Sequence, residues 1–387
     1  MHDSASSSQN RTNLSGTLGT APELIRAEIR AGGSISFARF MELALYCPDC
    51  GFYERESDTI GKRGDFYTSV SVGSLFGELL AFEFDAWLSG FRRGCERPKI
   101  VEAGAHDGQL ALDILKWLKR QRPDLLDVVE FWIVEPSQRR RFGQERTLRD
   151  HKVHWVDKLP AVGTVSGIIY SNELLDAMPV MRLGWSAEQR KWFEWGVAIE
   201  GGRFAWTRIQ RGAAAAAILA SAGIQLEPEL LALLPEDFTI EVSSRAQEWW
   251  GDAARSLRVG KLVTFDYGLN ADELLSPART EGTLRAFRQH RLVRDVLANP
   301  GEQDITAHVN FTAIRSVGEA AGLQTETYCP QAKFLTEIVA RACEPQSAFG
   351  PWTTSHTKQF QTMTHPDHLG RNFRVLVQST RPERATA

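Results

Sequence analysis

In the stretch Val101-Glu102-Ala103-Gly104-Ala105-His106-Asp107-Gly108-Gln109-Leu110, an apolar run ends and two glycines bracket a tight turn before an amphipathic pattern begins. Glycine lets the backbone approach a ligand closely, and a helix starting at Gln109 offers free N–H groups to a carboxylate. The spacing suits a nucleotide or adenosyl cofactor at the carboxyl end of a strand. An ordinary strand-to-helix turn uses the same residues, so the pattern needs company. Glu135 supplies it: it closes the run Phe131-Trp132-Ile133-Val134 and stands where a carboxylate could accept both ribose hydroxyls. Asp157, just past the following strand, is a candidate acceptor for an adenine amino group. At either position a carboxylate is equally an ordinary surface residue, and the weight comes from the pairing with the glycine turn.

A fourth apolar run stops abruptly at Ser171-Asn172-Glu173-Leu174-Leu175-Asp176-Ala177-Met178-Pro179-Val180. Asn172, Glu173 and Asp176 could face a cationic sulfonium, a methyl-accepting amine or a guanidinium. If a turn of helix starts here, the carboxylates at i and i+3 share one face and can grip an Arg side chain bidentately. The bland alternative is an Asx-type helix cap followed by surface acids. Other motifs carry less. Cys47-Pro48-Asp49-Cys50 has C-x-x-C spacing, but no second pair or His pair accompanies it, and it reads as chance. The nine His lack metal-binding spacing, so no metal is expected, and no G-x-S-x-G or P-loop occurs. Arg139-Arg140-Arg141 reads as a solvated helix face.

The elements that must position these residues follow from periodicity. Helices are expected over Pro22–Ala31, Phe37–Tyr46 (with Ser36 as N-cap), Gly73–Ser89 and Gln109–Arg120, with another from Gln138. Gly61 to Ser71 reads as a loop. Strands are expected at Ile100–Ala103, Val128–Glu135, Val153–Val156, Gly167–Ser171, Gly260–Asp266, Gln324–Tyr328 and Phe373–Gln378, the last two suiting an antiparallel hairpin at a sheet edge. Strands alternating with helices imply parallel pairing with right-handed crossovers, hence a doubly wound α/β sheet. Between Met181 and Asp237 the rhythm is lost; strand-like Lys191–Ile199 and Gly202–Ile209 and an Ala-rich helix, Ala213–Ala220, read as an insertion.

Composition fits such a protein. The 387 residues exceed one average domain, and a 43% hydrophobic fraction with 11 Trp supports a large core. With 45 Lys and Arg against 48 Asp and Glu and no long block of one sign, no nucleic-acid footprint is indicated. Five sparse cysteines argue for a reducing compartment, and no apolar run reaches the roughly 18 to 20 residues of a membrane span. Residues 1–20, polar and Ser-rich, read as a disordered tail rather than a secretory signal. The expected organisation is that tail, an N-terminal helical segment at 21–95, a core at 96–180 plus 238–387, and an inserted α+β lobe at 181–237.

These segments resemble the MidA-like family of S-adenosylmethionine-dependent methyltransferases. The matching pieces run nearly the length of the chain: Phe40 to Tyr46, Gly64 to Ser69, Phe76 to Leu79, Glu102 to Leu110, Val134 to Ser137, Asn172 to Val180, Phe265 to Gly268, Gly282 to Phe287 and Asp304 to Phe311. The resemblance implies a Rossmann-like class I methyltransferase core with S-adenosyl-L-methionine as cofactor. It implies that the turn of Glu102, Gly104, His106 and Gly108 holds the methionine part, that Glu135 holds ribose, and that Asn172 and Glu173 border the active site. It also implies that the loop Gly64-Asp65-Phe66 covers the cofactor, with Thr68 and Ser69 nearby. The sequence departs from the family's Glu-x-Gly-Pro-Gly-x-Gly turn at Ala105 and His106, where a side chain narrows the cleft or demands another backbone conformation. Asn310 stands where the family has Asp.

The function expected is methyl transfer to a protein arginine side chain, with Asn172, Glu173 and Asp176 at the reacting centre. The mitochondrial members of the family are protein arginine methyltransferases needed for respiratory complex I assembly, so the resemblance implies a protein substrate, a respiratory-complex subunit among the candidates. A homodimer through the inserted lobe is a further expectation. The compartment expected is the cytosol, or the mitochondrial matrix in a eukaryote. Two other classes compete: an assembly or binding protein that keeps the fold without catalysis, supported by His106, and a dinucleotide-dependent oxidoreductase, which Glu135 and the Asn172 cluster fit less well.

Overall fold

The structure, a computed structural model, describes residues 19–55, 68–91, 97–210, 213–289, 291–365 and 373–381. Residues 1–18 of the tail expected at 1–20 and the Gly64-Asp65-Phe66 loop lie outside the described residues; Thr20 is the N-cap of the first helix.

The larger sheet begins with four parallel strands, β1 (Lys99–Ala103), β2 (Glu130–Val134), β3 (Val153–Val156) and β4 (Val165–Asn172). The chain then leaves for a second, antiparallel sheet of β5 (Met181–Ser186), β6 (Lys191–Glu200), β7 (Arg203–Gln210) and β8 (Thr239–Val242). The short strand Ile35–Ser36 joins this sheet beside β6, so the N-terminal segment and the interrupting stretch share one surface. The chain returns in β9 (Leu257–Leu269), parallel to β4, and finishes with β10 (Leu323–Pro330) and β11 (Phe373–Thr380). The order across the larger sheet is β3-β2-β1-β4-β9-β11-β10, with Val309–Asn310 added alongside the end of β9.

β11 runs antiparallel to both β9 and β10. The expected antiparallel pairing of the last two strands is present, but not as a hairpin. Two helices intervene, and β11 enters between β9 and β10, leaving β10 at the edge. A strand pattern alone cannot distinguish these arrangements, because either partner order buries the same faces.

The longer helices are α1 (Ala21–Gly32), α2 (Phe37–Tyr46), α3 (Leu75–Phe91), α4 (Gln109–Gln121), α5 (Gln138–Thr147), α6 (Ser244–Ser256), α7 (Phe311–Ala320), α8 (Gln331–Ala342) and α9 (Thr354–Thr364), and the Ala-rich helix expected in the interrupting stretch is present at Ala213–Ser221. Alternation along the strands sorts them into two layers. Ile100, Ile168, Tyr170, Val263 and Phe265 face α3, α4 and α8 in one fully buried core. Val101, Ile169 and Leu262 face α6 and α7 in another, around Trp250 and Phe311. β4 departs from polar–apolar alternation because it is buried on both sides along its whole length before Asn172. Asn310, an exception to the family pattern, is the N-cap of α7: its Oδ1 accepts from Ala313 N at 3.2 Å, a role Asn and Asp fill equally well.

The strand order reverses between β1 and β4. In open α/β sheets the crevice at such a reversal, beyond the carboxyl ends of the strands, is where a ligand is held. Gly104 leaves β1 and Asn172 ends β4, so both sit at that crevice.

Candidate active site

A cleft of about 940 Å³ opens at this point. It is lined by Thr68, Glu102, Gly104, His106, Glu135, Asp157, Asn172, Glu173 and Asp176, so nearly every described residue singled out in the sequence borders one space. Gly108 does not. It lies behind the turn as the left-handed N-cap of α4 (φ 83°), packed on Leu148 and Gln144, and its N–H donates to Ala105 O at 2.7 Å.

The turn itself is built from unusual backbone. Gly104 has φ 73°, and a Cβ there would stand 2.9 Å from Leu174 Cδ1, so the close approach of the 104 and 174 segments requires glycine. His106 takes the left-handed φ of 48° with a full side chain. Its ring remains about a quarter exposed at the rim and leaves the cleft open.

Glu135 is buried, and burial raises its proton affinity against the pull of nearby Arg140. Its Oε1 accepts from Ser137 N at 3.0 Å and its Oε2 from Gln144 Nε2 at 2.9 Å. The same Gln144 nitrogen donates to His106 O at 3.0 Å, while Gln144 Oε1 accepts from Trp155 Nε1 at 3.0 Å. One fully buried amide thus ties the ends of β1, β2 and β3 together. Asp157 lies farther out, two-thirds exposed and 2.8 Å from Arg141. Thr68 caps the short turn Ser69–Val72, its Oγ1 accepting from Ser71 N at 3.2 Å.

At the end of β4 no helical turn forms. Glu173 donates its N–H to Phe265 O (2.9 Å) and then adopts φ 52°. Asp266, fully buried in β9, takes up the next two N–H groups on Oδ2, Leu175 at 2.8 Å and Leu174 at 3.2 Å. An irregular turn closed by Met178 N to Leu175 O (3.2 Å) follows, so the helical face expected for Glu173 and Asp176 does not exist. The two carboxyl groups nevertheless meet in the cleft. Burial, reinforced by their mutual repulsion and by Asp304, holds Glu173 far above the ordinary carboxyl range, and burial with Asp266 and Asp304 does the same to Asp176. Asp266 is pushed up to about 7, and Glu102 to about 8, chiefly by burial. A left-handed non-glycine residue costs of order 1 to 3 kcal/mol, and such strain collects where a site must hold a shape.

Several site residues were not singled out beforehand. Tyr46, at the end of α2, donates from its hydroxyl to Ala177 O at 2.9 Å; Tyr53 donates to Asp304 Oδ1 at 2.6 Å. Arg140 lies over the Tyr53 ring and donates to its carbonyl at 2.8 Å, and Ser137 Oγ donates to Glu54 at 2.7 Å. The N-terminal segment is clamped over the cleft by these bonds. Tyr46, Asp266 and Asp304 stood within segments quoted for the resemblance, which was the available signal; nothing in the sequence marked Gln144.

The cleft also has acceptors left over. Glu102 Oε2 and Asn172 Oδ1 are buried with no hydrogen-bond partner among the described residues. Buried polar atoms rarely stay unpaired, so they mark where a ligand's donors belong. A ligand carrying ammonium or hydroxyl donors would meet that need. Among the described residues no group of three metal-capable side chains gathers, and no helix is long and apolar enough to cross a membrane.

Sheet order and a switch-point cleft with unpaired buried acceptors fit an S-adenosylmethionine-dependent methyltransferase. Comparison with known proteins assigns it further. Residues 79–329 match the model of a family of S-adenosyl-L-methionine-dependent methyltransferases, and the chain belongs to that family. A crystal structure of a Burkholderia thailandensis protein bound to S-adenosyl-homocysteine superposes with a TM-score of 0.80 at 31% identity, covering 93% of this chain and 91% of that one. The mitochondrial protein arginine methyltransferase NDUFAF7 homolog of Drosophila melanogaster is 28% identical over 93% of this chain and 84% of its own length. The Homo sapiens protein arginine methyltransferase NDUFAF7 is 27% identical over 76% of this chain and 67% of its own. The dinucleotide oxidoreductase reading ends here.

Proposed function

We propose that this chain methylates an arginine side chain of a protein substrate, using Asn172, Glu173 and Asp176 at the reacting centre. The observation that carries the reading is the meeting of Glu173, Asp176 and Asp304 in one buried cleft beside the glycine turn. Such a group of carboxyls selects a cation and rejects an anion. The relatives named as protein arginine methyltransferases support the same acceptor.

When bound, the cofactor supplies a methyl group activated on a positive sulfur. The remaining work is positioning, which can contribute several kcal/mol. Glu102 and Asn172 would take the donors of the methionine part, Gly104 would give it room, Glu135 would receive ribose, and Asp157 would face adenine at the outer rim. His106 and Thr68 would close the sides. Gly108 would act only through the turn, by starting α4. Asn172 Nδ2 donates to Glu173 Oε1 at 3.1 Å and so aims that carboxyl. Glu173 and Asp176 would then hold the guanidinium planar and in line. Their high proton affinity in the empty cleft falls when a cation arrives, and either can take the proton that leaves after transfer.

The substrate would be a protein, with a respiratory-complex subunit as one candidate, met in the cytosol or, in a eukaryote, in the mitochondrial matrix. The stretch 181–237, whose sheet also takes in Ile35–Ser36 and Thr239–Val242 from outside the bounds expected for the lobe, could carry a homodimer contact. The test is transfer of labelled methyl from S-adenosylmethionine to lysate proteins, followed by acid hydrolysis. Label in methylarginine is expected, reduced about 100-fold or more by Glu173→Gln, the scale of losing one positioned electrostatic group. Label confined to other residues overturns the acceptor assignment. Tight S-adenosyl-homocysteine binding with no transfer at all favours the non-catalytic assembly role.

A further inference from the structure

From the sequence, Cys47-Pro48-Asp49-Cys50 reads as chance spacing. The fold gives it another meaning. α2 ends at Tyr46, Cys47 is its C-cap, and the chain reverses through Asp49 (φ 61°) so that Cys50 N and Gly51 N both donate to Cys47 O, at 3.2 and 2.8 Å. The two sulfur atoms stand 2.7 Å apart, both as free thiols. Cys47 is buried and Cys50 is partly exposed. The turn is tightly seated: a Cβ on Gly51 would meet Cys47 N and Leu45 O at 2.6 Å, and one on Gly301 would meet Cys50 O at 2.6 Å. On either side of it lie Tyr46 and Tyr53, whose hydroxyls reach Ala177 and Asp304 in the cleft.

We infer that Cys47 and Cys50 are a thiol–disulfide exchange site whose closure fixes Tyr46 and Tyr53 over the active-site cleft. The co-reactant is a disulfide, RS–SR, of low molecular weight or on a small redox protein. Cys50, the accessible sulfur, loses its proton and attacks one sulfur of RS–SR, forming a mixed disulfide and expelling RS⁻. Cys47 then loses its proton and attacks the Cys50 sulfur, closing the internal bond and expelling the second RS⁻. The two cysteines give up two electrons and two protons, and RS–SR becomes two RSH.

The position of the pair sets its character. It lies at a helix C-terminus, beside Asp49, where thiolate is disfavoured; burial and the neighbouring Cys47 push Cys50 up to about 12. Strongly oxidising disulfides are those whose reduced thiolate is stabilised. Here the Cys50 thiolate is disfavoured, so exchange is slow and the closed form, once made, is retained.

The test equilibrates the full chain in glutathione buffers of graded oxidised-to-reduced ratio, then quenches in acid, alkylates and digests. The peptide holding both cysteines should lose two hydrogens in oxidising buffer and regain them with dithiothreitol. In calorimetry, the oxidised chain should bind S-adenosyl-homocysteine roughly tenfold more tightly than the reduced chain, about the worth of ordering one or two side chains. Cys47→Ser and Cys50→Ser should bind like the reduced chain in every buffer. Recovery of both thiols alkylated at the most oxidising ratio overturns the site, as does a glutathione adduct that stays on Cys50 without closing. Equal binding by the oxidised and reduced chain overturns its link to the cleft. The mass readout is independent of methyl transfer, so either idea can fail alone.

Discussion

At the scale of single residues, Gln144 is the joint on which the cofactor side of the cleft turns. Its amide holds Glu135, the His106 carbonyl and Trp155 at once, so removing it leaves buried partners unpaired, at about 1 to 3 kcal/mol each. Gln144→Ala should therefore weaken S-adenosyl-homocysteine about tenfold or more in calorimetry, while its helix, with Gln144 as sole buried member, stays folded by circular dichroism. A second expectation concerns pH. Glu102 moves from an ordinary 4.5 to about 8 on folding, and Asp266 from 3.8 to about 7. Between those values the folded chain keeps protons that the unfolded chain has lost, so their stabilising contribution is complete below about pH 4 and is lost as pH rises through 7 to 8. Urea melts of the free chain should show stability falling over that window, and Glu102→Gln should flatten the fall. Residues at strand ends (Glu102, Gly104, Glu135, Asn172) were legible in the sequence because each ends an apolar run. Gln144, Tyr53 and Asp304 were not, because nothing local says which distant group a helix or loop residue will touch.

At the scale of elements, the crossing of β1, β4 and β9 depends on a glycine. Gly167 in β4 has φ 144°, and a Cβ there would lie 2.0 Å from Lys99 O of β1, a clash with backbone that no rotamer relieves. Gly167→Ala should cost more than about 3 kcal/mol, read as a lost or sharply lowered melting transition, since left-handed strain and a strand displacement add. The elements themselves were readable: the strand Val153–Val156 and the helix Phe37–Tyr46 match their expected limits, and the other expected strands differ by a few residues at the ends. What periodicity could not supply was partner order. It placed β10 and β11 as neighbours but not β11 between β9 and β10, and it could not see that Ile35–Ser36 would cross to β6. It also assumed helical geometry after Asn172, where Asp266, ninety residues away in the chain, captures the N–H groups that a helix would have left free.

At the scale of the molecule, the cleft is assembled from pieces that fold far apart in sequence: the N-terminal Tyr46 and Tyr53, the turns after β1 to β4, and Asp304 in the short strand Asp304–Thr306. A ligand that touches all of them binds only the folded chain and stabilises it by mass action. S-adenosyl-homocysteine at about 100 times its dissociation constant should contribute about 2.7 kcal/mol, seen as a rise of several degrees in melting temperature. Glu102→Gln should remove most of that rise. A rise equal in both proteins would place the ligand elsewhere.

The place of β11 has a consequence for how the molecule is made. Until Phe373–Thr380 leaves the ribosome, β9 has a bare flank, and β10, already synthesised, has no slot to enter. A nascent chain stalled before that point would expose an unpaired strand edge, the kind of surface that recruits chaperones or other chains. Assembly of the sheet is therefore completed late, by threading one strand between two that have been waiting for it.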